Sequence, residues 1–183
     1  GPAGLHCEAR IVDDAGVDVP VGQSGEILIR GEQNLFEYWG NAAATAETLR
    51  DGWLHTGDVG FVDGDGDYWV NDRKKDVVIS GGENIYPAEL EAVLHEMADI
   101  VDAAVVGRAD DRWGEVPVAI LVTSPSATPT RDEIIGRFDG VLARFKHPKD
   151  VIFLEELPRN AMGKILKYEL RSQLAAGELV SIR

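Results

Sequence analysis

Apolar and polar residues alternate at the start of the chain. Cys7, Ala9 and Ile11 fall on one side of an extended strand, and Glu8 and Arg10 on the other. Turn-forming clusters, DDAG at 13–16 and VGQSG at 21–25, bracket short extended segments, and EILIRG at 26–31 predicts another strand. FVDGDGDYWV at 61–70 predicts a hairpin, because Asp and Gly between two β-prone runs supply the positive φ angles of a tight reversal. The first stretch therefore predicts a β-meander, a barrel-like subdomain over residues 1–74.

The periodicity changes after Arg73. Pro87 suits the first helical position, Glu89 the positive end of the helix dipole, and Leu90, Val93, Leu94 and Met97 form one apolar stripe. Apolar runs at 101–106 and 116–122 predict buried strands, and TSPSATPT at 123–130 a loop. Thr130 with Glu133 reads as a capping box, opening a helix whose buried face is Phe138, Val141, Leu142 and Phe145. A strand, VIFLEE, and a helix, KILKYELRSQL, complete a small α+β domain over residues 75–183, a mixed sheet with flanking helices. There is no internal repeat.

Composition narrows the function classes. With 183 residues, 44% of them hydrophobic, the chain can build one ordinary domain or two small ones. A net charge of -14 opposes a nucleic-acid backbone or an anionic membrane surface, so any phosphate site must be local. The single cysteine, Cys7, excludes an internal disulfide and a thiolate metal cluster, which fits a cytoplasmic protein. No apolar run approaches the roughly 20 residues of a membrane helix, and the first residues lack the pattern of a signal peptide.

Common catalytic signatures are missing: the phosphate-binding G-x-x-x-x-G-K-[ST], G-x-S-x-G, H-E-x-x-H and a dinucleotide fingerprint. The four histidines are scattered and read as surface or structural residues. Asp63, Asp65 and Asp67 have the spacing of the first ligands of a calcium loop, but Tyr68 stands at its glycine position and Lys74 at its closing glutamate. Metal ligands are therefore assigned to none of these residues. GWLHTGD at 52–58 ends in a carboxylate on a glycine-bearing turn, able to offer two oxygens to a vicinal diol such as ribose. LPRNAMGK at 157–164 presents a lysine on a Pro/Gly loop, where a mobile ammonium can reach a phosphate or carboxylate. RKKDVVISGGENIYPAELE at 73–91 crowds cations, a strand, two glycines and a helix start together.

In this order and spacing, these stretches, with GEILIRG before them, resemble the C-terminal part of the adenylate-forming (ANL) superfamily: acyl-CoA synthetases, peptide-synthetase adenylation domains and firefly-type luciferases. The resemblance covers essentially the whole chain. SGGENIYPAELE and RWGE at 112–115 are closest to fatty-acid and related acyl-CoA ligases of lipid metabolism. It implies that the parent enzyme converts a carboxylate and ATP to acyl-AMP and then to a CoA thioester. Asp58 would hold the ribose hydroxyls of ATP or AMP, with Arg73 nearby. Lys75 would be the hinge between two half-reactions, Gly81 and Gly82 would lie along the pantetheine passage of CoA, and Lys164 would be the catalytic lysine.

The resemblance also implies that the phosphate loop, the carboxylate pocket and the residues ordering Mg2+ precede Gly1, so the chain reads as a C-terminal piece, inactive alone. Its first 74 residues would then be the last β-subdomain of the large domain, and the remainder the small mobile domain. A lysine acetyltransferase acting on Lys164 would remove the catalytic charge. Two other readings stay open: a non-catalytic interaction or regulatory module, and an adenylating domain that loads a carrier protein.

Overall fold

The computed structural model describes residues 1–179, 181 and 182. Its contacts divide the chain into two compact units, Gly1–Lys75 and Asp76–Arg183. The division falls one residue beyond the boundary expected from composition.

Unit 1 is a curled, half-barrel-like antiparallel sheet. Strand β1 (Cys7–Val12) pairs with β2 (Gly25–Gly31), followed by a short helix α1 (Ala42–Thr48), β3 (Leu49–Arg50), β4 (Trp53–Val62) and β5 (Tyr68–Arg73). The ten-residue β4 organises the sheet. One edge pairs with β2, and the other is divided between β3 at its start and β5 at its end. The close approach of β5 explains Gly60, where a Cβ would stand 2.0 Å from the Trp69 carbonyl oxygen. Alternation places Ile11, Ile27 and Val59 inward. On the opposite side the Arg10 and Arg30 guanidiniums lie 5.2 and 4.4 Å from the Trp53 ring centre, themselves held by Asp18 and Glu8.

The Asp/Gly turn of the β4–β5 hairpin is self-contained. The Asp63 carboxylate accepts from the backbone N–H groups of Asp65 and Asp67 and from the Trp69 indole. Its oxygens are thus engaged by turn and strand chemistry. Helix α1 and strand β3 carried no signal in the periodicity. The helix has no buried residue, and its start depends on Asn41, whose Oδ1 accepts from Ala44 N–H at 3.0 Å.

Unit 2 begins in a single 3-10 turn (Lys74–Asp76) shared with the end of unit 1, then forms β6 (Val78–Ser80) and β7 (Glu83–Ile85). Helix α2 (Pro87–His95), β8 (Ile100–Asp110), β9 (Gly114–Thr123), α3 (Arg131–Gly136), β10 (Asp150–Phe153) and α4 (Lys167–Ala176) follow. Strand β9 pairs with β8 along one edge, antiparallel. Its other edge pairs with β10 in parallel and touches β6 at Ser80 opposite Gly114.

Both faces of this sheet are covered, which is why its strands read as unbroken apolar runs. Ala103, Val105, Ala119, Leu121, Val151 and Phe153 share one face with α2 residues Leu90 and Leu94 and with Ile134 and Phe138. Ala104, Val106, Val118, Ile120 and Ile152 form the other face with Leu157 and Leu170 of α4. The period of two thus supplies two cores from one pair of strands.

Two helix expectations need correction. The Thr130–Glu133 capping box is present, but α3 stops at Gly136, and the following residues bond three back, as in Phe138 N–H to the Ile135 carbonyl. Gly140, at φ +76, then reverses the chain. Phe138 remains fully buried and Leu142 packs against the core, whereas Val141 and Phe145 are 60% and 43% exposed. The last helix starts at Lys167, not Lys164, because Arg159 and Ile165 form a β-bridge that holds the intervening residues in a loop. Phe138→Ala is expected to destabilise unit 2 by about 3–5 kcal/mol through the cavity left between helix and sheet, read as a lowered urea midpoint for that unit.

Candidate functional site

The carboxylate at Asp58 owes its position to a bulge. Glu26 and Leu28 of β2, two residues apart, face Val59 and His55 of β4, four residues apart, so Thr56, Gly57 and Asp58 are thrown out of register. Gly57 takes φ +68, open to glycine without strain. The Thr56 hydroxyl closes the distortion by donating to the Ile27 carbonyl at 2.7 Å and accepting from Asp58 N–H at 3.0 Å. Asp58 stands opposite Arg73 in the β4–β5 register. Arg73 Nε lies 3.0 Å from Asp58 Oδ1, and its NH1 donates to the Thr56 carbonyl at 3.1 Å. Asp58 therefore keeps Oδ2 as an acceptor, with Arg73 next to it as a fixed cation.

Beneath the bulge lies Glu26, which the sequence reading had only as the start of a strand. Its side chain is 9% exposed. Oε1 accepts from Gly57 N–H at 3.3 Å, and Oε2 stands 3.2 Å from Lys74 Nζ and 3.4 Å from His55 Nδ1. Lys74 also pairs with Asp14 at 2.8 Å. Burial by itself would raise the Glu26 carboxyl, but the hydrogen bond and charge of Lys74, with His55 adding to them, hold it below the ordinary carboxylate range. Hydrogen bonding and attraction from Asp14, then Glu26, raise Lys74 in turn. His55 meets its expected structural role only in part: its buried Nδ1 has the Glu26 carboxylate at 3.4 Å as a charge contact but no partner in hydrogen-bond geometry. His147 fits that role: it is buried, contacts the Phe138 ring and bonds the Leu142 carbonyl at 2.9 Å.

A cleft of about 560 Å³ opens within unit 1, lined by Tyr38, Glu47, Arg50, His55, Gly57, Arg73 and Lys75 among others. It brings the exposed Lys75 side chain to the same wall as Arg73 and Gly57. Cationic groups and a nearby diol-competent carboxylate suit a nucleotide's ribose and phosphates.

Unit 2 carries the other assigned residues. Gly81 and Gly82 form the turn of the β6–β7 hairpin, with φ +61 and +86, the two positive values of a tight I′-type reversal. Gly81 has a second constraint: its N–H donates to the Trp113 carbonyl at 2.8 Å, and a Cβ would meet the Trp113 ring at 2.9 Å. A Cβ at Gly82 would meet nothing. Lys164 ends a braced loop. Asn160 Oδ1 accepts from the N–H groups of Met162 and Lys164, Asn160 N–H donates to the Lys164 carbonyl, and Arg159 bonds the Gly163 carbonyl and Asp102 of β8. The backbone is fixed while the Lys164 ammonium is exposed, with no hydrogen bond or ion pair among the described residues.

Among the described residues no group of three or more His, Cys, Asp or Glu is placed to hold a metal ion, and no helix is long and apolar enough to cross a membrane.

Residues 89–164 match the family model of the AMP-binding enzyme C-terminal domain. The chain is 50% identical over 175 residues to an indoleacetate–CoA ligase of Aromatoleum aromaticum, covering 96% of this chain and 34% of that protein. It is 48% identical over 167 residues to a 2-succinylbenzoate–CoA ligase of Bacillus cereus, covering 91% and 34%. Among solved structures, ATP-bound MatB from Rhodopseudomonas palustris matches with TM-score 0.88 at 37% identity, over 97% of this chain and 36% of that one. The apo form of MatB matches the same shares at 38% identity with TM-score 0.68. The chain belongs to the adenylate-forming superfamily and corresponds to the C-terminal part of its CoA ligases. It spans about a third of the length of the curated relatives it matches.

Glu26 gives this region a pH dependence of defined sign. A carboxyl held low in the folded state stabilises it fully above the unfolded value of about 4.3 and loses that contribution as pH falls through the lower folded value. Unit 1 should therefore lose stability on acidification below about pH 4–5. Glu26→Gln should flatten that slope without abolishing it, since Asp14 and Glu8 are also held low. Denaturant midpoints measured from pH 2.5 to 6 check this, and an unchanged slope would remove Glu26 from the account.

Proposed function

We propose that this chain is the C-terminal part, small mobile domain included, of an ATP-dependent acid–CoA ligase that makes acyl-AMP and then its CoA thioester. The observation that carries the reading is the Lys164 loop, in which a clamped backbone presents an unpartnered ammonium. A cation so placed can steady negative charge that develops on the α-phosphate and attacking carboxylate, with little reorganisation. Asp58, with Arg73 at its side, is the ribose acceptor. Lys75 at the division between the two units is the pivot that carries Lys164 toward and away from the first half-reaction.

Gly81 and Gly82 lie along the CoA arm in this reading. Free CoA is favoured over a carrier protein because the relatives named above are CoA ligases. Indoleacetate and 2-succinylbenzoate are aromatic acids, so aromatic carboxylates are the first acyl candidates, ahead of fatty acids. ATP, CoA and the acid are its small-molecule partners, and acetylation of Lys164 would silence the first step by removing its charge.

In an enzyme carrying this chain, Lys164→Ala should lower carboxylate-dependent pyrophosphate exchange by about 100- to 1,000-fold. Thioester formation from supplied acyl-AMP should remain largely intact. Equal losses in both steps, or none in the first, would remove Lys164 from its assigned role. The 183-residue chain alone should show no exchange with indoleacetate or 2-succinylbenzoate, and exchange by the purified chain would contradict the division of labour proposed here.

A further inference from the structure

Every residue near the division between the units carries charge, yet the structure treats neighbours differently. Arg73 is paired across β4–β5 with Asp58, and Lys74 lies between Glu26 and Asp14, all within unit 1. Two residues later, Asp76 is bonded by Arg171 at 2.7 Å within unit 2, with the Asp76 side chain 11% exposed. Arg171 is itself anchored, because it sits on α4 beside the fully buried Leu170. Between these pairs, the Lys75 side chain is exposed and has no hydrogen bond or ion pair among the described residues.

We propose that two ion-pair clamps, Lys74 to Glu26 and Asp14 on one side and Asp76 to Arg171 on the other, confine the hinge to the two peptide planes that flank Lys75, between the Cα atoms of Lys74 and Asp76. The inference rests on reading Lys75 as the pivot and adds Glu26, Asp14, Asp76 and Arg171 as positioning residues. The physical reason is local. Rotating φ at Lys74 displaces its side chain from a mostly buried carboxylate, and rotating ψ at Asp76 pulls its carboxylate from a guanidinium fixed on a packed helix. Either movement takes a cation from a largely desolvated carboxylate. Rotation about ψ of Lys74, either torsion of Lys75 and φ of Asp76 breaks no side-chain bond. A hinge limited to these four torsions moves a body through a restricted set of orientations, whereas a hinge spread over several residues samples many, few of them productive.

The test is backbone 15N relaxation and relaxation dispersion on the 183-residue chain. The N–H groups of Lys75 and Asp76 should be mobile, by low order parameter or millisecond exchange, while those of Lys74 and Val77 keep the roughly 0.85 of rigid backbone. Arg171→Met or Asp76→Asn should extend the mobile window to Val77, and Lys74→Met or Glu26→Gln should extend it to Lys74. Lys74→Met alters an exposed side chain, so it probes that clamp even where Glu26→Gln unfolds unit 1. Asp76→Arg combined with Arg171→Asp should restore the narrow window, a rescue that loss of general stability would not produce. Mobility already present at Lys74 or Val77 in the unsubstituted chain, or a window indifferent to these substitutions, would overturn the clamps while leaving Lys75 as pivot. Lys75 and Asp76 as rigid as Lys74 and Val77 on both timescales would instead refute the pivot, and the clamps with it.

Discussion

A carboxylate 9% exposed to solvent cannot remain charged without being answered, and the way Glu26 is answered organises unit 1. Three elements contribute: the Gly57 N–H from the β4 bulge, Lys74 from the turn after β5, and His55 from β4 itself. The same oxygens that satisfy the charge therefore fix where the bulge sits and where β5 ends. Removing the carboxylate would leave a lysine facing Asp14 alone and a buried imidazole nitrogen without its anionic neighbour. The Asp58–Arg73 pair stands on this foundation, since the bulge that displaces Asp58 is tied down from beneath by Glu26.

Unit 2 solves a different problem, that of a sheet with no solvent face. β8 and β9 bury alternate residues in opposite cores, so neither helix layer can be removed without exposing Val105 and Leu121 on one side or Val106 and Ile120 on the other. The residues proposed for function accordingly lie outside these strands, in the connections: the Gly81–Gly82 turn and the loop ending at Lys164. The Trp113 ring, against which Gly81 packs, explains one glycine by sterics alone. Gly82 has open space where its Cβ would be and is required for its positive φ only.

Much of this was legible because local chemistry and tertiary demand agreed. The Asp/Gly hairpin, the Pro87 helix start, the capping box and the two apolar runs each appear where their residue types favour them. The failures have physical causes. Phe145 is apolar at a helical interval from Phe138, but Gly136 and Gly140 end the helix first, so the interval loses its meaning. Helix α1 buries nothing and left no periodic trace, and β7 is too short at three residues to show one. Of the candidate residues, Asp58, Arg73 and Lys164 are proposed from their motifs, whereas Glu26 carried no such signal. A glutamate beginning an apolar strand looks like a surface residue until the bulge opposite and a lysine 48 positions away enclose it. The Asp76–Arg171 pair spans 95 positions and has no sequence signature at all.

The distribution of unpaired cations gives the last constraint. The chain carries 32 acidic and 18 basic side chains apart from histidine, so most cations have a carboxylate within reach. Arg10, Arg30, Lys74, Arg108, Lys146, Arg159, Lys167 and Arg171 are all paired. Lys164 stands where residues 157–168 contain no Asp or Glu, and Asp102, the acid bonded to its loop, is held by Arg159. Lys75 escapes because its neighbour Asp76 is consumed by Arg171. Half of the six lysines, Lys75, Lys149 and Lys164, have no ion pair among the described residues, and an arginine holds the carboxylate at hand in each case: Asp76 by Arg171, Asp150 by Arg108 and Asp102 by Arg159. In this acidic chain these ammonium groups stay free because arginines have taken their neighbouring acids.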